Sequence, residues 1–330
     1  MVSTGRIAVE EVKTVRYRPL GRTGVSVSAL SLGTVNFGPR ANTDRGACTE
    51  IIHRALDAGI NLVDTADIYS GGVAEEIVGS ALSGKRQDVM LATKVQGRTG
   101  EGPNERGSSR LYILRAVEES LRRLRTDWID LYHLHLPDAD TPIEETLRAL
   151  DDLVRQGKVR YVGTSNFASW QLTEALWASS RRHLVPIASE QPQYNLLDRH
   201  IEREILPACR HFGLAVLPWS PLKGGELSGK YRRGEPLPEG SRRARQNTDT
   251  SAAGWQRRMS SVDALRPLAE EAGLSLSQFS LLWVMQQEEV TSPIIGPRTM
   301  EQLEESLEVL DEELPQQLVQ RAGELTAAFI

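Results

Sequence analysis

The sequence predicts an α/β fold of the closed (β/α)8 type, the TIM barrel. Short apolar β-type runs alternate strictly with amphipathic helical runs, and the alternation repeats eight times with short links. No GxGxxG loop follows the first strand, which argues against an open doubly wound sheet, the structural rival.

ALSLG (29–33) reads as the first strand, and Asp44–Ala58 as a helix with Ile51, Ile52, Ala55 and Leu56 on one face. NLVDTA (61–66) and Ala74–Leu82 form the second unit, and VMLATK (89–94) and Arg110–Leu124 the third. WIDLYHLH (128–135) is followed by Ile143–Arg155, a helix opened by Thr141 and Pro142. VRYVGTS (159–165) pairs with Ser169–Ser179, and IASEQ (187–191) with Ile201–His211. LAVLPWS (214–220) is the seventh strand, with helices over Val262–Glu271 and Ser277–Gln287. SPIIG (292–296) and Met300–Leu310 complete the eighth unit. Two segments break the alternation. Tyr17–Ser28, with GRTG between two alternating runs, reads as an N-terminal β-hairpin. Tyr231–Trp255 is a long polar loop after strand 7, on the rim where barrels build their sites. Residues 1–14 are expected to be a flexible tail and 15–330 a single barrel domain.

The 330 residues are 40% hydrophobic and 25% charged, the profile of a globular protein, and the net charge of −5 implies no basic face for nucleic acid. No apolar run reaches the roughly 18 residues of a membrane span, and the mixed-charge N-terminus lacks an apolar signal-peptide core. Cys48 and Cys209 fall in predicted helices with no CxxC and are read as buried reduced thiols. No metal is expected, and a reducing cytoplasm fits.

Four polar residues lie at or just past strand ends: Asp64 on the second, Tyr69 in the loop after it, Lys94 on the third and His135 on the fourth. Parallel barrel strands bring their C-terminal ends to one face. An ammonium beside a phenol favours phenolate character, so Lys94 would make Tyr69 a usable acid and Asp64 would hold Lys94. His135 could orient a carbonyl or share the proton. Taken singly, Tyr69 could be a packing aromatic, Asp64 and Lys94 a structural ion pair, and His133, two residues before His135, an equal candidate on the same strand face.

The chain resembles the aldo-keto reductase superfamily from about Val15 to Leu310. The resemblance rests on LGRTGVSVSALSLGT (20–34), DAGINLVDTADIYSGGVAEEIVG (57–79), LATK (91–94), SLRRLRTDWIDLYHLHLPD (120–138), GKVRYVGTSNF (157–167), QPQYN (191–195), WSPLKGGELSGKY (219–231) and IIGPRTMEQLEESL (294–307). It implies a catalytic tetrad of Asp64, Tyr69, Lys94 and His135, and selects His135 over His133. It also implies an NADP (NADPH) cofactor bound without a Rossmann fold. Ser165, Asn166 and Gln191 would bond the carboxamide, and Trp219, where the family more often has Tyr or Phe, would stack on the nicotinamide. Gly33, Thr34 and Asp64 would line the same site. Ser220, Leu222, Gly224 and Lys230 would line the pyrophosphate channel. Gly296, Arg298, Gln302, Glu305 and Ser306 would hold the adenosine end, with Arg298 on the 2′-phosphate that distinguishes NADP. The family commonly reads YGxGxSE after the tyrosine, where this chain has Tyr69, Ser70, Gly71, Gly72, Val73, Ala74 and Glu75; Ser306 stands where Asn is frequent.

Val35, Asn36, Phe37 and Leu136 would wall the substrate pocket beside Tyr69, His135 and the 231–255 loop, fitting a small-molecule carbonyl compound. Three functions remain open: a broad aldehyde or ketone reductase; a reductase of nucleotide-linked keto-deoxysugars, because GTVNFG and TADIY resemble such family members; and a non-catalytic NADP-binding sensor resembling potassium-channel auxiliary subunits. A homo-oligomer is compatible with all three.

Overall fold

A computed structural model of the chain describes residues 15–39 and 41–330. The segment expected as a tail, 1–14, lies outside them. A hairpin of β1 (Tyr17–Pro19) and β2 (Ser26–Ser28) precedes the barrel. The barrel strands are β3 (Ser31–Gly33), β4 (Leu62–Asp64), β5 (Met90–Val95), β6 (Ile129–Leu134), β7 (Val159–Ser165), β8 (Ile187–Gln191), β9 (Ala215–Val216) and β10 (Ile294–Ile295). All eight pair in parallel, in the order β10-β3-β4-β5-β6-β7-β8-β9. The ring closes through a parallel bridge between Trp219 and Ile294, where the Ile294 N–H donates to the Pro218 carbonyl at 2.8 Å.

The helices are α1 (Arg45–Asp57), α2 (Val73–Ala81), α3 (Arg110–Leu124), α4 (Ile143–Arg155), α5 (Ser169–Arg182), α6 (Ile205–Phe212), α7 (Arg242–Arg245), α8 (Ala253–Glu271), α9 (Leu276–Met285), α10 (Met300–Leu307) and α11 (Gln316–Leu325). Five of them, α1, α3, α7, α9 and α10, start at a side-chain cap. Asp44 accepts from the Gly46 and Ala47 N–H groups, and Ser275 and Gln278 form a capping box at α9.

Several elements depart from the sequence reading, the eighth strand among them, which spans only Ile294–Ile295 of the expected 292–296. The helix expected from Ile201 begins at Ile205 after a 3-10 turn at His200–Glu202. That break puts Pro207 in the first turn of α6, where its missing N–H costs nothing. The seventh strand, expected over 214–220, is only two residues long, since Pro218 cannot donate to a ladder and Ser220 sits at φ 55°. The 231–255 segment carries α7 and runs into α8, which starts early because Trp255 and Met259 bury there, Trp255 edge-on to Tyr231. Helix α11 was not read from the sequence; Pro315 precedes it, and its buried Leu318 and Ala322 stand one turn apart.

Period-two alternation divides the barrel wall. Leu62, Ala92, Leu131, Ala215, Leu217 and Ile294 face the interior and pack with Leu20 and Val27 of the hairpin. The hairpin therefore plugs the end of the barrel opposite the rim. Gly21, at φ 55°, makes this fit: a Cβ there would meet the Gly213 and Ala188 carbonyl oxygens at 2.8 and 2.9 Å. The second apolar layer lies between strands and helices and includes both cysteines, buried and unpaired as expected.

Replacing the plug residue in Leu20→Ala should lower the unfolding free energy by about 2–5 kcal/mol, because the closed floor cannot collapse onto the void. A lowered urea midpoint with an unchanged m-value is the expected reading, and a midpoint equal to wild type would show that the hairpin does not seal the floor.

Candidate active site

The C-terminal rim assembles its polar groups by strand register. Lys94, on β5, pairs in register with His133 on β6, so both point into the barrel. Lys94 is fully buried and its three donors are all directed: to Asp64 Oδ1 at 2.5 Å, to the Thr65 carbonyl at 2.8 Å and to Tyr69 Oη at 3.4 Å. Burial works against the Lys94 charge, yet Asp64 and Tyr69 outweigh it and hold its pKa above the usual value.

Tyr69 opens a 3-10 turn that runs to Gly72. Ser70, Gly71 and Gly72 all have positive φ, a sharp left-handed reversal that two glycines make affordable. Ser70, the non-glycine member, donates its hydroxyl to the Phe37 carbonyl at 2.7 Å and fixes the turn to the first loop.

His135 follows β6. Its ring stands edge-on to Tyr69, with centroids 6.0 Å apart. Burial, reinforced by the Lys94 charge, lowers its pKa to about 3, so the imidazole is neutral at physiological pH. His133 also points inward, as the alternation demands, but lies deeper. It is fully buried, its Nε2 is 3.1 Å from Ser189 Oγ, and the space for its ring exists because residue 163 is glycine.

Beside this group lies a cluster of amides. Asn166, at φ 61°, donates Nδ2 to the His135 carbonyl and to Ser165 Oγ, and its Oδ1 accepts from Trp219 Nε1 at 3.1 Å. Ser165 Oγ donates to the Gln191 carbonyl, and Gln191 Nε2 donates to Asp64 Oδ2 at 2.9 Å. Behind the cluster, Glu190 accepts from the Phe167 N–H and the Thr164 hydroxyl, and burial pushes its carboxyl up to about 8.

These groups line one cavity of about 550 Å³ that runs across the rim. It brings together Gly33, Thr34, Val35, Asn36, Asp64, Tyr69, His135, Leu136, Ser165, Asn166, Gln191, Trp219, Ser220, Leu222, Gly224, Lys230, Gly296, Arg298, Gln302, Glu305 and Ser306, all expected from the sequence. Lys94 sits behind the wall, reaching the cavity through Tyr69 and Asp64. Phe37 is a correction: it is fully buried in the apolar layer and does not line the cavity. The Ser70 bond to its carbonyl and the turn at Gly38 direct the ring inward.

At the far end Lys230, Arg242, Arg245 and Arg298 converge. Burial and these three arginines lower the Lys230 pKa, which marks a field suited to an anion. The sequence reading did not select Arg242 or Arg245. The available signal was the run SRRAR inside the loop already identified as a rim segment. The intervening Arg243 turns the other way and pairs with buried Glu226, which also holds Arg258, so the loop is anchored with Arg242 and Arg245 on the cavity side. No cluster of metal-ligating side chains occurs among the described residues.

The sequence profile of the Aldo/keto reductase family matches residues 29–327. An uncharacterized oxidoreductase of Bacillus subtilis (strain 168), YrpG, is 39% identical over 94% of this chain and 96% of its own length. A probable voltage-gated potassium channel subunit beta of Oryza sativa subsp. japonica is 39% identical over 90% of this chain and 92% of its own length. A putative subunit of the same description from Schizosaccharomyces pombe is 36% identical over 91% and 89%.

Asp67, two residues before Tyr69, is buried with both carboxyl oxygens lacking a hydrogen-bond partner. Burial, then the neighbouring Glu75, raises its pKa to about 8. The folded state therefore holds a proton that the unfolded chain, with a carboxyl near pKa 3.9, releases. Stability from this group is present below about pH 4 and is lost as pH rises toward about 8. Asp67→Asn should raise the midpoint of thermal unfolding at pH 8 and leave it nearly unchanged at pH 4. Equal midpoints at both pH values would show that the carboxyl is solvated.

Proposed function

The chain belongs to the aldo/keto reductase family, and on that premise we propose that it reduces a neutral aldehyde or ketone to an alcohol with NADPH, the proton coming from Tyr69. The observation that carries this reading is the polarity of the rim cavity. Asp64, Tyr69 and His135 stand at one end, backed by Lys94; Lys230 and three arginines stand at the other.

The residues present fit a phosphorylated nicotinamide dinucleotide. Lys230 and Arg242 suit a pyrophosphate, and Arg298 suits a further phosphate. The Arg298 guanidinium already reaches across to the Gly240 carbonyl. The amides of Asn166 and Gln191 suit a carboxamide, and the Trp219 indole, held through Nε1 by Asn166, offers a fixed π-face between the two ends. Bound there, the cofactor supplies a hydride.

The remaining chemistry belongs to the chain. Tyr69 donates its proton to the carbonyl oxygen, and the Lys94 ammonium stabilises the phenolate left behind. Asp64 holds Lys94 in place. Neutral His135 orients the carbonyl by hydrogen bonding, since an imidazole with a pKa of about 3 is a poor acid at neutral pH. Val35, Asn36, Ile68 and Leu136 wall this end without a charge. A neutral carbonyl compound suits them better than a nucleotide-linked sugar, whose two phosphates would need cations that lie at the opposite end.

The relatives described as potassium channel subunits favour a second reading, an NADP-binding sensor with little turnover. Steady NADPH oxidation with simple aldehydes supports the reductase. Tight NADPH binding without turnover across a broad carbonyl panel supports the sensor.

Tyr69→Phe should lower kcat by about 10²–10⁴ with NADPH affinity preserved, and near-normal turnover would remove Tyr69 from the proton-donor role. Arg298→Ala should weaken NADPH binding by about 10- to 100-fold and leave NADH binding unchanged, because only one cofactor carries the extra phosphate. A preserved NADPH/NADH ratio would assign that arginine another role.

A further inference from the structure

Asp64 has two acceptor oxygens with separate partners. Lys94 occupies Oδ1 and Gln191 Nε2 occupies Oδ2 at 2.9 Å. A carboxylate only accepts, so the Gln191 amide must present nitrogen to Asp64 and turn Oε1 toward the cavity it lines. Among the described residues Oε1 has no hydrogen-bond partner, although Gln191 is only 2% exposed. One side-chain amide thus joins the seat of the carboxamide to the ion pair beneath Tyr69.

We propose that Gln191 is a positioning residue that couples the cofactor's carboxamide to the proton on Tyr69, through Asp64 and Lys94. The coupling rests on the function proposed above, and its sign follows from charge sharing. A carboxamide N–H donating to Oε1 polarises the Gln191 amide and strengthens its donation to Oδ2. Asp64 then neutralises Lys94 less, and the ammonium stabilises the Tyr69 phenolate more. Coupling between two sites is reciprocal, so ionised Tyr69 must in turn tighten the grip on the carboxamide. The ionisable groups facing Tyr69 are Lys94 at 3.4 Å, with Asp64 behind it, and His135, which burial keeps neutral. Asp67, on the Tyr69 loop itself, ionises near pH 8 because it is buried, and Lys94 is the weakest of the groups acting on it.

Two measurements test the coupling. Without cofactor, an ultraviolet tyrosinate titration of wild type minus Tyr69→Phe reads the ionisation of Tyr69. Gln191→Met should move it up by about half a pH unit or more, because Asp64 then draws harder on Lys94. With cofactor, the NADPH dissociation constant is followed by fluorescence across that ionisation. Wild-type affinity should rise about threefold, the equivalent of half a pH unit. The rise should vanish for Gln191→Met and for the acetylpyridine analogue of NADPH, whose acetyl group cannot donate to Oε1. The analogue needs no substitution, so it decides even where the Gln191→Met chain fails to fold. An unmoved titration, no binding of NADPH to wild type, or the same rise with the analogue overturns the proposal. Coupling without carbonyl turnover would sink only the reductase reading, and turnover without coupling only the role of Gln191.

Discussion

The buried ion pair of Lys94 and Asp64 is the constraint on which the rim depends. Taking an ammonium and a carboxylate out of water costs several kcal/mol per ion, which is recovered only when the remaining donors and acceptors are satisfied. Here Lys94 spends its donors on Asp64, a backbone carbonyl and Tyr69, and Asp64 fills its second oxygen with Gln191. Asp64, Thr65 and Tyr69 lie on β4 and the loop after it, Lys94 on β5 and Gln191 on β8, so the pair fixes these three strands relative to one another at the end where the cavity opens. The turn after Tyr69 is held by the same economy: Ser70 returns a hydrogen bond in exchange for its left-handed backbone.

The barrel and the gathering of four polar side chains at its rim were legible in the sequence because both follow from the strand pattern. Alternating short apolar runs with amphipathic ones forces parallel strands, and a side chain at a strand's C-terminal end has one face to occupy. The same rule foresaw that His133 and His135 share a face. Which of them meets the cavity depends on depth along β6, and there the family resemblance, not the alternation, selected His135.

What the sequence left out depended on chain reversals and on distant partners. Phe37 looked like a wall residue by its position in the first loop; its carbonyl accepts from Ser70 in the loop after the neighbouring strand, and its ring is buried in the apolar layer. Arg242 and Arg245 were hidden in a segment read as polar loop. Their direction is set by Arg243 pairing with a buried Glu226 that no local pattern links to it. The contact between Gln191 and Asp64 spans 127 positions of the chain and exists only once the ring has closed. Helix α11 was missed for a simpler reason, since its buried face is just two residues wide.

The hairpin plug has a kinetic consequence. Leu20 and Val27 close a floor built of Leu62, Ala92, Leu131, Ala215, Leu217 and Ile294, all apolar. A proton cannot cross such a layer without hydrogen-bonding stepping stones. On the proposed role of Tyr69, the phenol must therefore be recharged from solvent through the same mouth by which the carbonyl compound enters and the alcohol leaves. With one doorway for both traffics, the acid would be reset only after the product has cleared the entrance, an order imposed by the sealed floor.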